Sequence, residues 1–345
     1  MKLLPLVHSR IDSLPHHSYI MSILEVGNPI EWIILDRYFQ LKIDEYKNEV
    51  VVLDYCEDDF LSFSQLKESS YLLKRNEMSE NIIDFVIKNI EKGFYIFLHV
   101  DEFYLPFTSS YMKRKFGHGV MIHGYNEEDC TFNIAGYDHN NKLSFNLISY
   151  SQLSESYDKL SDYFEHNDDE YLKKIFMLKP NSVEHSLNKD LLICLINEYT
   201  TSINTQKNFV KDYYSNCDTY FGISIYRVLI KYYQLAIQND NIQLLTKNLY
   251  VLLEHKRIMK TRVESILGNI GEEQTRIINC LKIIINDLQI AVNLNMRLQL
   301  TNDKKNITKI IEILERVYLM ELDYLDRFLQ LIEVESSPGN QKDLP

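Results

Sequence analysis

The stretch that decides the fold reads GFYIFLHVDEFYLPFTSSYMKRKFGHGVMIHGYNEEDCTFNIAGY and covers residues 93–137. It holds three runs rich in β-branched and aromatic residues, which favour strands: 94–100, 118–125 and 130–137. Turn residues at 126–129 separate the last two runs. The stretch therefore predicts an antiparallel sheet. Three more segments have strand-like composition: 49–55, 143–148 and 173–180.

Helical spacing surrounds these strands. In the first half it predicts helices over 15–26, from Pro29 to 41, over 79–93 with Ser79 as N-cap and Gly93 as C-cap, and over 149–160. After about residue 186 the strand patterns end. Long helical patterns fill 187–215, 218–238, 241–268, 270–300 and 304–334. We therefore predict an α+β domain over 1–185, an all-α helical bundle over 186–335 and a frayed polar tail over 336–345.

Composition limits the function classes. The net charge of −12 argues against a nucleic-acid binder, because attraction to phosphates needs a basic surface. The five cysteines are widely spaced and odd in number, which argues against a metal knuckle or a disulfide framework. The apolar N-terminal run is too short for a secretory signal, and runs such as 191–196 are too short to cross a bilayer. We expect a cytoplasmic protein without a membrane partner.

His118 opens the second strand of the decisive stretch and follows the basic triplet Lys113, Arg114 and Lys115. Side chains alternate along a strand, so His118 and His123 face opposite sides and cannot ligate one metal ion; we predict no metal site. His118 is either a general base in a cleft or a strand-end histidine bonded to the backbone.

The residues 93–128 and the later segment LLEHKRIMKTRVESI resemble the family of butirosin biosynthesis protein H. The matching features are the Gly-aromatic strand entry at 93–94, the run VDEFYLP with Asp101 and Tyr104, then Tyr111, and His118 before an apolar strand. The resemblance implies an N-terminal papain-like domain, related to C39-like cysteine peptidases, in a pathway of the nonribosomal peptide or antibiotic type. It also implies acyl transfer from a carrier-protein thioester to an amine, with no resident cofactor. The phosphopantetheine arm of the carrier would then be part of the substrate.

A papain-like site places a thiol at the start of an early helix and the histidine on a later strand. Here His17 and Ser18 stand where the resemblance implies cysteine, so Ser18 is either a serine nucleophile or a helix-capping residue. For the orienting acid, Asp138 either holds His118 or starts a turn, and Asp101 either supports the site or orders the loop.

The same resemblance implies that an acyl or peptidyl carrier protein is the partner. The triplet, with Tyr104 and Tyr111, could hold the phosphate of the arm or an acidic carrier helix, or could simply be a solvated loop. The missing cysteine favours a second hypothesis, a catalytically silent scaffold that binds a carrier protein or biosynthetic enzyme. It also disfavours a peptidase. Apolar faces on the helical bundle make a homodimer reasonable.

Overall fold

The computed structural model describes the chain except residues 36, 48–49, 57–62, 64–65, 67–69, 165–170, 182–186, 204–216, 240, 269–270 and 336–345. The fold is α+β, with antiparallel sheets and a C-terminal helical region. The chain divides into two compact units, Met1–Asn28 with Asp58–Glu184, and Pro29–Glu57 with His185–Pro345. The division near residue 185 lies where the strand patterns end, and the predicted tail lies outside the described residues.

The first unit is built on a seven-stranded sheet. Its strands are β1 (Lys2–Leu3), β4 (Tyr71–Lys74), β5 (Tyr95–Asp101), β6 (Gly117–Asn126), β7 (Thr131–Tyr137), β8 (Leu143–Ser149) and β9 (Lys174–Leu178). They lie in the order β4-β9-β5-β6-β7-β8, β1 also pairs with β6, and all of these described pairs are antiparallel. Its helices are α1 (Pro15–Leu24), α3 (Ile82–Glu91) and α4 (Tyr150–Phe164). The sequence patterns predicted each of these elements except β1 and β4.

Alternation along the strands creates the core of this unit. Leu98, Val120 and Ile122 are fully or almost fully buried in one apolar cluster with Phe85 of α3 and Tyr157 of α4. Helix α3 starts later than predicted. Asn81 rather than Ser79 is its N-cap, because the Asn81 side chain accepts a hydrogen bond from the backbone of Asp84.

The second unit combines a small sheet with helices. Strand β2 (Leu41–Tyr46) lies between β3 (Val50–Tyr55) and β10 (Cys217–Phe221). The helices are α2 (Ile30–Ile33), α5 (Lys189–Thr201), α6 (Ile225–Gln238), α7 (Thr246–Leu267), α8 (Glu272–Thr301) and α9 (Lys305–Glu335).

Three predictions fail in this unit. Residues 29–57 group with the C-terminal helices rather than with the first 185 residues, because β2 pairs with β10. The helix predicted to run from Pro29 to 41 is a single turn, Ile30–Ile33, and the chain then becomes a strand at Leu41. The expectation of no strand after residue 186 is also wrong, because Cys217–Phe221 is a strand and the helix predicted from 218 begins at Ile225.

The second unit contains a buried ion pair. The Lys256 ammonium donates to the Glu321 carboxylate, to the Tyr199 hydroxyl at 3.1 Å and to Nδ1 of His255 at 2.9 Å. The side chains of Lys256 and Glu321 are completely buried. A carboxylate without its cation would be costly there, so the two side chains depend on each other.

Helix α8 is long and apolar enough to span a membrane by length and composition, with a mean hydropathy of 1.4 over its most apolar 18 residues. The uninterrupted apolar runs in the sequence did not indicate a possible membrane span here, because asparagine and glutamine interrupt the apolar residues. Leu281, Ile284, Leu288 and Val292 of this helix are fully buried. Of the most apolar window, 39% is buried, so the helix has one packed face and one exposed apolar face, and a single helix of this kind is weak evidence of a membrane span.

Candidate functional site

The end of β5 and the start of β6 position the candidate site. The two strands pair antiparallel, with Val100 opposite His118 and Asp101 opposite Gly117. Beyond Asp101 the backbone turns into a short 3-10 helix, Glu102–Tyr104. The Glu102 amide donates to the carbonyl of Phe116 at 2.9 Å, which closes the intervening loop at its base. Strand register thus brings His118 and Glu102 to the same end of the sheet.

Asp101 fixes the geometry of this corner. It is fully buried, and its Oδ1 accepts hydrogen bonds from the backbone amides of Phe103 at 3.1 Å and Phe116 at 3.0 Å. Both contacts are to backbone, and among the described residues no hydrogen bond joins Asp101 to His118. The loop-ordering role of Asp101 is therefore observed, and its support of the site stays a prediction.

Glu102 is the acid that contacts His118. Its Oε1 lies 2.7 Å from Nδ1 of the imidazole. The Glu102 side chain is 7% exposed and the His118 side chain is 27% exposed, so the carboxylate is covered and the ring reaches solvent. A carboxylate on Nδ1 holds the tautomer that carries its proton there and leaves Nε2 as the basic nitrogen. Among the described residues, none bonds to Nε2.

Aromatic rings hold the imidazole on two sides. The centroid of Phe116 lies 5.6 Å from that of His118, and Tyr137 at the end of β7 lies 6.3 Å away in an edge-on arrangement. Such contacts restrict ring rotation. Together with the Glu102 bond, they fix the direction in which Nε2 points.

Helix α1 is anchored beside this cluster. The buried hydroxyl of Ser18 is 2.8 Å from the hydroxyl of Tyr137, which donates to the carbonyl of Asp12 at 2.8 Å. The next residue, Tyr19, donates to the carbonyl of Gly119 at 2.9 Å. Burial, with Tyr137 and Glu102 nearby, raises the pKa of Tyr19 well above its ordinary value, so this hydroxyl stays protonated.

The position where the resemblance implies a nucleophile is buried. Ser18 is completely buried, and its Oγ is also 3.0 Å from the carbonyl of Pro15. No hydrogen bond joins it to His118, whose only described hydrogen-bond partner is Glu102. His17 is likewise completely buried. Tyr137 contacts both Ser18 and the imidazole, and it occupies the strand end where the resemblance implies an acid.

Asp138 takes the turn role. Its carboxylate accepts hydrogen bonds from the backbone amides of Asn140 at 2.8 Å and Lys142 at 3.0 Å, which closes the connection between β7 and β8. The reading of Asp138 as the acid that orients His118 is corrected by this geometry, since the bond to Nδ1 is made by Glu102.

Sequence reasoning missed Glu102 because it treated VDEFYLP as one run. The available signal was register. If 94–101 pairs antiparallel with 117–125, the residue after Asp101 must lie beside the start of the histidine strand. Tyr137 was missed for a similar reason, since only the pairing of β6 with β7 brings the two strand ends together.

The basic triplet lies in the loop that leads to the site. Lys113, Arg114 and Lys115 are exposed, and the Arg114 guanidinium lies over the ring of Phe116 at 4.9 Å. The neighbouring Tyr111 and Met112 are exposed apolar side chains. Tyr104 is half-buried in the 3-10 turn, against Phe103. Phe116 therefore connects a basic and apolar surface to the ring of His118.

No protein-family model matches the chain, and no curated protein sequence matches it. The similarity to the butirosin biosynthesis protein H family stays an expectation based on the residues quoted above.

Proposed function

We propose that the first unit is a papain-like acyl-transfer domain in which His118, oriented by Glu102, is the general base. The observation that carries the proposal is the 2.7 Å contact between the Glu102 carboxylate and Nδ1 of a partly exposed histidine. A base needs a fixed tautomer and one ring nitrogen open to substrate, and this pair supplies both. The packing of α1 beside the histidine strand supports the papain-like assignment.

The proposed reaction joins an amine to the acyl group of a carrier-protein thioester. The amine nitrogen attacks the thioester carbonyl, and Nε2 of His118 takes a proton from that nitrogen as the C–N bond forms. The C–S bond then breaks, and the proton passes from the imidazolium to the leaving thiolate. Glu102 stabilises the imidazolium between these steps. The acyl group passes directly to the amine, because the Ser18 hydroxyl is buried and bonded to its neighbours.

The basic loop is the proposed docking surface for the carrier. Lys113, Arg114 and Lys115 are exposed on a chain of net charge −12, so they form a local positive surface against an acidic background. An acidic carrier helix or the phosphate of its arm would pair with these cations, and the attraction would weaken with salt. Such a protein would act in the cytoplasm, in a secondary-metabolite pathway of the nonribosomal peptide type.

The test is product formation by the full chain. Carrier proteins loaded with a panel of acyl and aminoacyl groups are incubated with a panel of primary amines, and amides are detected by mass spectrometry. We expect the wild type to form an amide and His118→Ala to lose activity by about 10²- to 10⁴-fold. His139→Ala, which removes an exposed histidine from the same unit, should retain full activity. Equal product from the wild type and His118→Ala would reject the assignment.

A second candidate function is a carrier-binding scaffold without catalysis. The burial of Ser18 favours it, since the position where the resemblance implies a nucleophile offers no accessible one. The same panel separates the candidates. Carrier binding that weakens in a Lys113→Glu, Arg114→Glu variant, with no amide from any donor, would support the scaffold and not the enzyme.

A further inference from the structure

The two edges of the sheet in the first unit differ in protection. At one edge, β4 has only four residues, ends in Lys74 and is followed by Arg75. At the other edge, β8 has seven residues, LSFNLIS, with no charge and no proline. Natural sheets guard open edges with short strands, lysine and proline. Strand β4 exposes Tyr71 and Leu72, but it is short and ends in a lysine, whereas β8 is longer and carries no charge.

Strand β8 pairs with β7 along its full length, and no other described strand pairs with it. Its backbone groups on the outer side thus lack a strand partner among the described residues. These groups are a ready template for another extended strand.

The exposed face of β8 is apolar. Phe145 is 37% exposed and Leu147 is 65% exposed, and both lie on the same face because they are two residues apart. The His8 ring stacks on Phe145 with centroids 4.4 Å apart. On the opposite face, Ile148 is buried in the core. An uncharged edge of this kind leaves room for another extended strand to add to the sheet.

We infer that β8 pairs antiparallel with β8 of a second copy of this chain, across a twofold axis at Asn146. In this register the two exposed apolar residues of β8 pair with each other across the axis. Phe145 of one copy lies opposite Leu147 of the other, which gives two apolar cross-strand pairs. Leu143 and Ser149 lie opposite each other, as do Ser144 and Ile148. No two like charges oppose each other along the strand, so the isologous arrangement has no electrostatic penalty.

The first test is the oligomeric state of the full chain, measured by sedimentation velocity over a wide concentration range. We expect a dimer for the wild type. Leu147→Lys places a lysine opposite Phe145 and brings the two lysines onto a diagonal across the axis, so we expect the dissociation constant to rise about tenfold or more. Leu319→Lys is the matched control, since Leu319 is 64% exposed on α9 of the other unit, and it should dimerise like the wild type.

The second test fixes the register by cross-linking. In the proposed pairing Asn146 faces its own copy, so Asn146→Cys should form an intermolecular disulfide on mild oxidation. Ser144→Cys faces Ile148 and should not link above the background of the native cysteines in the wild type. A monomeric wild type, a dimer that Leu147→Lys leaves intact, or linking through position 144 in place of 146 would each overturn the inference.

Discussion

Replacing His99 with glutamine should flatten the pH dependence of the stability of the first unit. His99 lies in β5 opposite Gly119 and is 5% exposed, between the rings of Phe97 and Tyr171. Burial lowers its pKa from 6.5 to about 3, and the nearby His118 and Arg75 act in the same direction. The folded protein therefore keeps this ring neutral in acid, whereas the unfolded chain protonates it.

The difference between the folded and unfolded pKa of His99 determines the sign and size of its contribution to the free energy of unfolding. A folded-state pKa below the unfolded value means that the contribution of His99 is complete above about pH 6.5 and is lost as the pH falls towards about 3. Between about pH 7.5 and about pH 5, protonation of His99 stabilises the unfolded chain by about 2 kcal/mol, because pH 5 lies roughly one and a half pH units below the ordinary pKa of histidine. The wild type should lose that amount of unfolding free energy through His99 alone.

The readout must be local, because the chain has two compact units. Hydrogen exchange of the β5 and β6 amides reports the opening free energy of the sheet at each pH. His99→Gln should lose about 2 kcal/mol less than the wild type between the two pH values, even if it is less stable at both. His139→Gln, an exposed histidine in a turn, should behave like the wild type. Identical pH dependence in the wild type and His99→Gln would refute the reasoning.

Three further predictions concern packing and the site. Gly119→Ala puts a Cβ 2.4 Å from Cζ of Phe97, so the opening free energy measured by exchange should fall by about 1–3 kcal/mol; an unchanged value would contradict the close packing. Ser18→Ala should form the amide at the wild-type rate. Complete loss of amide formation in this variant would indicate that Ser18 is the nucleophile. Lys256→Met leaves the Glu321 carboxylate buried without its cation, so denaturant unfolding of the helical unit should lose about 3–5 kcal/mol. Lys256→Met with Glu321→Gln should recover part of that loss, and no recovery would argue against pairing as the cause.

The strands near the decisive stretch were predictable because their patterns are local. The runs 94–100, 118–125 and 130–137 became β5, β6 and β7 within one or two residues at each end. Strand β10 was not predictable, since CDTYF contains two polar residues and is a strand only through pairing with β2, more than a hundred positions away in sequence. Residues 204–215, predicted as part of a helix, lie outside the described residues.

The candidate site was predictable in part, for the same reason. The sequence pattern placed His118 at the start of an apolar strand behind a basic loop, and the resemblance implied a general base there. It did not identify Glu102 or Tyr137, whose positions depend on strand register and on the packing of α1. Ser18 looked like a nucleophile by its position in the chain, but burial is a tertiary property that local sequence does not carry.

The most direct test of the central claim is a double-mutant cycle on the rate of amide formation with His118→Ala and Glu102→Gln. If Glu102 acts only by orienting His118, Glu102→Gln should slow the wild type by about 10- to 100-fold and have no further effect on His118→Ala. An equal effect of Glu102→Gln in both backgrounds, or full activity of His118→Ala, would contradict the account.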